Sequence, residues 1–330
     1  MPELPEVHTT VTGLSRTVVG HTVTDVWTDY NSPYFKGGDT IKDPAYFKYF
    51  KKEVLGKKIV SVSRRAKNVL IHLEDSKTKK VGDTILIHMK MTGHIMVGRY
   101  EFHKKIKTGQ KSAWLPSPDE RRSLHDPYNR FIHFVISLSN GSNLVLSDTR
   151  KFAKVTLINY PMINDQMTQS NESVHLKDLG PEPLDKSFTL KVFKERLNLK
   201  PNGRIKTVLM DPIVIAGIGN IYSDEALWRA GINPEQCVKN ISEPSLKKLY
   251  TATQTVLKKG IDFGGDSMSD YRNVDGERGK FQEQHQVYRR KNEPCTMIIN
   301  GKKCKGIIQR KVVGGRSAHF CPVHQKLSIK

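Results

Sequence analysis

Apolar residues recur at alternate positions through much of the first half of the chain. The runs 58–62, 69–73, 84–91 and 132–138 are dense in Ile, Val, Leu and Phe with partial alternation, which predicts β-strands. Asn140-Gly141 separates the last of these runs from another at 144–146, and this pair tolerates the positive φ of a tight turn, so a β-hairpin is expected there. An early helix over 6–19 is predicted by Val7, Val11, Leu14 and Val18, which fall on one face. Between 101 and 130 the strand pattern gives way to a polar, basic stretch, read as a surface insertion with partial disorder.

The second half has a different period. Residues 160–185 read as a linker ending in the Pro-rich LGPEPLD. Over 245–261 a single stripe holds Leu246, Leu249, Tyr250, Thr253, Val256, Leu257 and Ile261, with Ser242 as the expected cap and Pro244 in the first turn. A second helix is predicted over 220–230, ended by Gly231. The tail from about 287 gathers cysteines, so the layout is strands, then helices, then a small module.

Charge sharpens this picture. Across 330 residues, 54 Lys and Arg face 33 Asp and Glu, a net +21. Solubility alone asks for a net charge of only about 2–8 in a small domain, so the excess points to a polyanionic partner. No run of about 18 apolar residues is present, which predicts no membrane span. The N-terminus lacks the layout of a signal peptide, and a reducing compartment is expected.

Of four cysteines, Cys295, Cys304 and Cys321 lie in the tail, and with His324 they make a four-ligand N/S set suited to tetrahedral zinc. Cys321 and His324 have the two-residue gap of a zinc knuckle. The eight residues between Cys295 and Cys304 exceed the usual spacing, although Asn300-Gly301 can turn them into a hairpin. Three unrelated thiols and a surface histidine are the ordinary alternative, but so short a module needs a staple. With four protein ligands the zinc would be structural. Cys237 is left over as a free thiol.

Gly217-Ile218-Gly219-Asn220 makes a tight turn before a helix, where exposed backbone amides and the helix dipole favour a phosphate. Such turns more often merely connect helices. Arg316, on the expected zinc-stiffened hairpin, offers a second backbone clamp.

The segments PELPEV, RRAK, IH…MTG, SDTRKF, LGPEPL, the 205–234 stretch, QVYRRKNEPC and GGRSAHFCPVHQ occur in the order found in the formamidopyrimidine-DNA glycosylase and endonuclease VIII family. The resemblance covers nearly the whole chain. It implies an α+β multidomain protein. The expected parts are an N-terminal β-sandwich domain with an N-terminal helix over 2–160, carrying the 101–130 insertion, and a linker over 161–185. A helix-two-turns-helix DNA-binding domain over 186–280 and a C-terminal zinc finger hairpin over 287–330 complete it.

The implied activity is that of a bifunctional DNA glycosylase and AP lyase of base excision repair, removing 8-oxoguanine and formamidopyrimidines. Pro2, freed of Met1, would be the nucleophile, forming a Schiff base followed by β,δ-elimination. An α-amino group has a pKa of about 8, which leaves a useful fraction unprotonated near neutrality. Glu3 would assist sugar-ring opening, Lys67 and His88 would contact phosphate, and Glu6 would touch the extruded base. Met91, Arg150 and Phe152 would fill the void that the base leaves. Lys206 would lie near the lesion, Asn220 and Arg316 would hold the backbone, and the glycine-rich 263–280 would cap the flipped base.

ELPEV, Lys206 and 263–280 favour the oxidised-purine branch. The alternatives are an endonuclease VIII-like enzyme for oxidised pyrimidines and a non-catalytic damaged-DNA binder, the latter disfavoured by Pro2, Glu3 and Lys67 occurring together. The expected partner is double-stranded DNA with oxidised bases or abasic sites, met by a monomer in the bacterial cytoplasm. His324 in place of a cysteine, the wide Cys295–Cys304 gap, the insertion, and Thr149 and Lys151 in place of the common Pro and Arg depart from the family pattern.

Overall fold

The computed structural model describes residues 1–30, 32–75, 78, 80–104, 113–159, 162–163, 166–167, 173–268 and 270–328. These form two compact units. The first comprises Met1–Pro2, Glu6–Lys177 and Gly264–Gly279; the second comprises Glu3–Pro5, Asp178–Phe263 and Lys280–Lys330.

The first unit is a β-sandwich. Helix α1 (Leu4–Thr17) is followed by β1 (Val23–Thr28), α2 (Pro44–Val54), β2 (Lys58–Arg65), β3 (Asn68–Glu74), β4 (Val81–His88) and β5 (His94–Gly98). After them come β6 (Tyr100–His103), β7 (Ala113–Pro116), β8 (Ile132–Leu138), β9 (Asn143–Ser147) and β10 (Lys154–Asn159), with two short strands, β11 (Met162–Ile163) and β12 (Gln166–Met167). Two four-stranded sheets result, ordered β1-β8-β9-β5 and β10-β4-β3-β2. Alternation explains the core: Val69, Ile71 and Leu73 of β3 and Ile85 and Ile87 of β4 join Phe134, Ile136, Leu144 and Leu146 of the other sheet.

The expected hairpin joins β8 and β9, but only Gly141 adopts a positive φ, of 82°. Asn140 acts through its side chain, whose Oδ1 accepts from Ser142 N at 3.1 Å and Ser142 Oγ at 2.8 Å.

The 101–130 stretch departs from the expected surface insertion. Strands β6 and β7 pair, and Tyr100 and Leu124 are buried with Met96, Ile132, Val135 and Val145 on the outer face of the β1-β8-β9-β5 sheet. Trp27, Phe102 and Trp114 pack with ring centroids 5.5–6.0 Å apart. The sheet is apolar on both faces and needs this cover; the lysines in between masked the signal. Residues 105–112, the most basic part of the stretch, and most of 160–172, from the expected linker, lie outside the described residues.

The second unit is helical, with α3 (Leu190–Leu197), α4 (Ile205–Leu209), α5 (Asn220–Ala230) and α6 (Glu243–Asp262) around a core of Phe193, Leu209, Tyr222, Leu227, Leu249 and Leu257. Helix α5 has the predicted bounds and ends on Gly231 at φ 71°, whose neighbour Ile232 N returns to Leu227 O at 3.0 Å. Helix α6 carries Pro244 in its first turn, as expected; Ser242 holds the cap position without a side-chain cap bond, its hydroxyl meeting Ser245 Oγ instead. Two hairpins close the chain: β13 (Ile298–Ile299) with β14 (Lys302–Lys303), and β15 (Gln309–Val313) with β16 (Arg316–Phe320). Their turns, Asn300-Gly301 and Gly314-Gly315, all have positive φ, which the tight two-residue hairpin demands.

Candidate nucleic-acid interface and metal centre

In the first unit, candidate residues sit on the turns at one end of the β10-β4-β3-β2 sheet. Lys67 occupies the two-residue turn between β2 and β3, and Asn68, beside it, pairs with His88, which also pairs with Lys154. Burial, with Lys90 and Lys67 adding to it, pushes His88 down to about 3. Its Nδ1 accepts from Lys90 N at 2.9 Å, so the neutral ring carries its proton on Nε2 and can donate to an anion.

Met91, Arg150 and Phe152 lie outside the strands and are 42%, exposed and 47% exposed, respectively, so core packing does not account for them. Arg150 contacts both of the others. The Arg150 guanidinium carbon sits 4.5 Å from the Phe152 ring centre, and Nη1 lies 3.4 Å from Met91 Sδ. Each of the three turns includes a non-glycine residue in the left-handed region: Ala66 at φ 53°, Lys90 at 55° and Lys151 at 55°. Such backbone costs of order 1 kcal/mol and persists where surroundings over-determine it. At two of the turns that constraint is Asp148, fully buried, which accepts from Thr92 Oγ1, Arg150 N at 3.3 Å, Ala153 N at 2.7 Å and Tyr30 OH at 3.3 Å. Asp148 stands in SDTRKF, yet sequence reasoning passed over it; its position between a strand end and a predicted DNA contact was the available signal.

Pro2 is buried, and Met1, bonded to its nitrogen, is 42% exposed. While Met1 remains, that nitrogen is a tertiary amide without nucleophilic character. In the same unit, Glu6 Oε1 accepts from Asp266 N at 2.7 Å.

The second unit holds Glu3, Lys206, Asn220 and Arg316. The glycine turn before α5 was expected to be open to phosphate. Instead, Glu3 Oε1 accepts from Ile221 N at 2.9 Å, and Leu4 N donates to Gly217 O at 3.0 Å. A Cβ at Gly219 would overlap Glu3 Cδ, and one at Gly217 would meet Leu4. The anion at this helix N-terminus is thus the protein's own carboxylate, positioned by a pairing between residues 3 and 221 that no local pattern announces. Asn220 Nδ2 donates to Ser317 Oγ at 3.2 Å, and exposed Arg316 precedes Ser317 on β16.

Lys206, expected near the lesion, is fully buried. It exposes none of its side chain, and its Nζ contacts Asp224 Oδ1 at 2.5 Å. Asp224 Oδ2 accepts from His319 N at 2.9 Å and lies 3.0 Å from His319 Nδ1, so one buried carboxylate links α4, α5 and β16. Its neighbour Glu225 accepts from the amides of Gln286, Val287 and Tyr288 at 2.9–3.1 Å, and burial pushes it up. Adjacent acids on a helix read as surface charges, which is why sequence reasoning missed both.

Cys295, Cys304, Cys321 and His324 come together, their ligand atoms all within 4.8 Å of one another. Cys304 Sγ and Cys321 Sγ are 3.7 Å apart, close to the edge of about 3.8 Å of a tetrahedron with Zn–S arms of about 2.3 Å. His324 Nε2 lies 3.0 Å from Trp228 O; donating there leaves Nδ1, 3.4 Å from Cys295 Sγ, as the ligand nitrogen. Trp228 Nε1 and Gly306 N donate to Cys295 and Cys304 sulfur at 3.4 Å, and a Cβ at Gly306 would overlap Cys321 Sγ. Burial pushes the Cys321 thiol up to about 11. The cluster can bind a metal ion.

The family described as Formamidopyrimidine-DNA glycosylase N-terminal domain matches residues 1–155, and the Formamidopyrimidine-DNA glycosylase H2TH domain matches 179–272. The formamidopyrimidine-DNA glycosylase of Bacillus subtilis strain 168 is 34% identical over 322 residues, covering 97% of this chain and 98% of its own. That of Pelotomaculum thermopropionicum is 34% identical over 327 residues, covering 99% and 100%. The Lactococcus lactis Fpg in complex with DNA containing an abasic site is similar at a TM-score of 0.74 and 30% identity, over 98% of this chain and 99% of that one. An inhibited form of that protein with N7-benzyl-Fapy-dG containing DNA gives 0.74 and 30%, over 98% and 100%.

Proposed function

The chain belongs to the formamidopyrimidine-DNA glycosylase family, and from that premise we propose a DNA-repair glycosylase that excises oxidised purines and then cuts the strand through Pro2. The observation that carries this reading is the exposed trio Met91, Arg150 and Phe152 on strained turns, with Arg150 in contact with both of the others. An exposed wedge of this composition suits the gap left by an extruded base: Phe152 enters the stack, Met91 fills the irregular remainder, and Arg150 bonds the orphaned partner base. Lys67 and the Nε2–H of His88 bind the flanking phosphates on one unit; Asn220 and Arg316 bind the backbone on the other.

The chemistry begins once Met1 is removed. The Pro2 lone pair attacks C1′, and the glycosidic electron pair leaves with the base. Sugar-ring opening breaks C1′–O4′, with O4′ taking a proton that Glu3 relays, and an iminium ion remains between Pro2 and C1′. That cation acidifies C2′–H; loss of this proton expels the 3′ phosphate, and a second elimination expels the 5′ phosphate. Zinc in the Cys3His set would supply no reaction step; its four protein ligands keep the two terminal hairpins in shape, and so hold Arg316. The relatives are bacterial, and we place the protein in the bacterial cytoplasm as a monomer acting on double-stranded DNA.

Borohydride reduction tests this reading. Protein with a free Pro2 is expected to become covalently trapped on a duplex holding 8-oxoguanine opposite cytosine, and Pro2→Gly to lose most of the adduct. Absence of any adduct from the unaltered protein on both this duplex and an abasic one would leave only a DNA-binding role.

A further inference from the structure

Residues 121–129, within the stretch that departs from the family pattern, grip the segment Gly264–Gly279, and both belong to the first unit. Arg121 Nη1 pairs with Asp275 Oδ1, while Arg16 Nη2 takes Asp275 Oδ2 at 2.9 Å. Ser123 Oγ donates to Asp275 O at 2.6 Å. Asn129, 2% exposed, donates from Nδ2 to Ser123 O at 2.8 Å and reaches Gly276 O at 3.4 Å. Its Oδ1 lies 3.0 Å from His94 Nε2, which anchors the arrangement in β5. Arg272 adds an ion pair to Asp126 at 3.4 Å and stands 4.8 Å from the Tyr128 ring centre. A single surface ion pair contributes little, but here two arginines, a hydroxyl and a buried carboxamide converge on residues 275–276, which fixes that stretch in place.

The other end of the gripped segment wraps the first turn of α1. Asp266 N donates to Glu6 Oε1, Gly265 packs against Glu6 Cγ, and Tyr271 OH donates to Glu6 O at 2.9 Å. Glu6 is four residues along the chain from Pro2. On the reading that Pro2 attacks C1′, the base leaving that carbon departs near this end of the chain, where Glu6 and its partners stand.

We propose that Arg121, Ser123 and Asn129 are positioning residues for the damaged base: by latching residues 275–276, they hold the segment that begins at Gly264 in register against Glu6. This rests on Pro2 being the nucleophile. The latch serves base excision, in which a base must be held, and not strand scission at a site that has already lost its base.

The double variant Arg121→Ala/Ser123→Ala tests this on one preparation in two assays. Single-turnover excision of 8-oxoguanine from a duplex is expected to fall about ten-fold or more, because a misplacement of about 1 Å suffices for such losses. Scission of a duplex with a preformed abasic site is expected to stay within about two-fold. Arg121→Lys, which keeps a cation for Asp275, is expected to recover most of the excision rate. Equal loss in both assays would show a merely structural role and overturn the proposal, as would no loss in either. Failure of the underlying reading is separate: there the unaltered protein itself cleaves neither duplex and leaves no borohydride adduct.

Discussion

The Arg150 guanidinium carbon stands 4.5 Å from the centre of the Phe152 ring, so the cation and the aromatic wedge hold one another in place before any ligand arrives. Both are at the surface, and Phe152 is 47% exposed. Phe152→Ala is therefore expected to leave thermal stability within about 0.5 kcal/mol while lowering excision from a lesion duplex by about ten-fold or more. Measuring the two side by side checks the wedge role. A large drop in melting temperature would reassign Phe152 to packing.

Histidines give the fold a defined response to acid. Burial holds His72 and His94 at about 4, against an ordinary value near 6.5, and each is 1% exposed. His72 is bonded on both nitrogens, to Ser63 Oγ at 2.7 Å and Thr84 Oγ1 at 2.9 Å. Below pH 6.5 the unfolded chain takes up protons that the folded chain refuses until about pH 4. The unfolded state then binds more protons, so stability is full above 6.5 and is lost as pH falls toward 4. The loss at pH 5 is about 2 kcal/mol per histidine. Urea denaturation at pH 7 and pH 5 reads it directly, and His72→Gln is expected to lessen the difference by about that amount.

Much of this architecture is legible because it rests on local signals. Period-two apolar runs locate β3 and β8, Asn300-Gly301 marks a hairpin, and Gly231 marks the end of α5. The cluster that can bind a metal ion follows from residue type, since three thiols and an imidazole within a short tail make a four-ligand N/S set. What was not legible depends on distant pairings. Glu3 meets Ile221 N across more than two hundred residues of chain, so the glycine turn looked vacant. Tyr100, Trp114 and Leu124 looked like isolated apolar residues among lysines, although the second apolar face of β8 and β9 implied a cover. Lys206 was expected near the lesion, and its burial against Asp224 on another helix has no local signature.

Metal removal is expected to act on the terminal hairpins. On the proposal that zinc staples β13–β16, chelation or Cys304→Ser would take that staple away, and Arg316 would lose its platform. Apparent affinity for undamaged duplex DNA is expected to fall, together with a shallower dependence on salt, because fewer phosphates are neutralised. His324→Cys keeps a four-ligand set and is expected to retain one zinc per chain by elemental analysis, whereas His324→Ala is expected to lose it. Retention of full DNA affinity by metal-free protein would separate the cluster from binding.

The Lys206–Asp224 pair offers the sharpest separation of structural from DNA-contacting roles, since both side chains are wholly buried and 2.5 Å apart. Lys206→Met removes the cation from Asp224, which keeps its bonds to His319 of β16, and is expected to destabilise the protein by about 3–5 kcal/mol, the range for breaking a buried pair from one side. Replacing both members, as Lys206→Met/Asp224→Leu, removes the stranded carboxylate and is expected to recover a substantial part of that loss in urea denaturation. A lysine whose main role is to touch DNA predicts the opposite pattern: near-native stability in the single variant, with activity lost and not recovered in the double. The coupling between the two substitutions therefore decides whether Lys206 acts through Asp224 or directly on the nucleic acid.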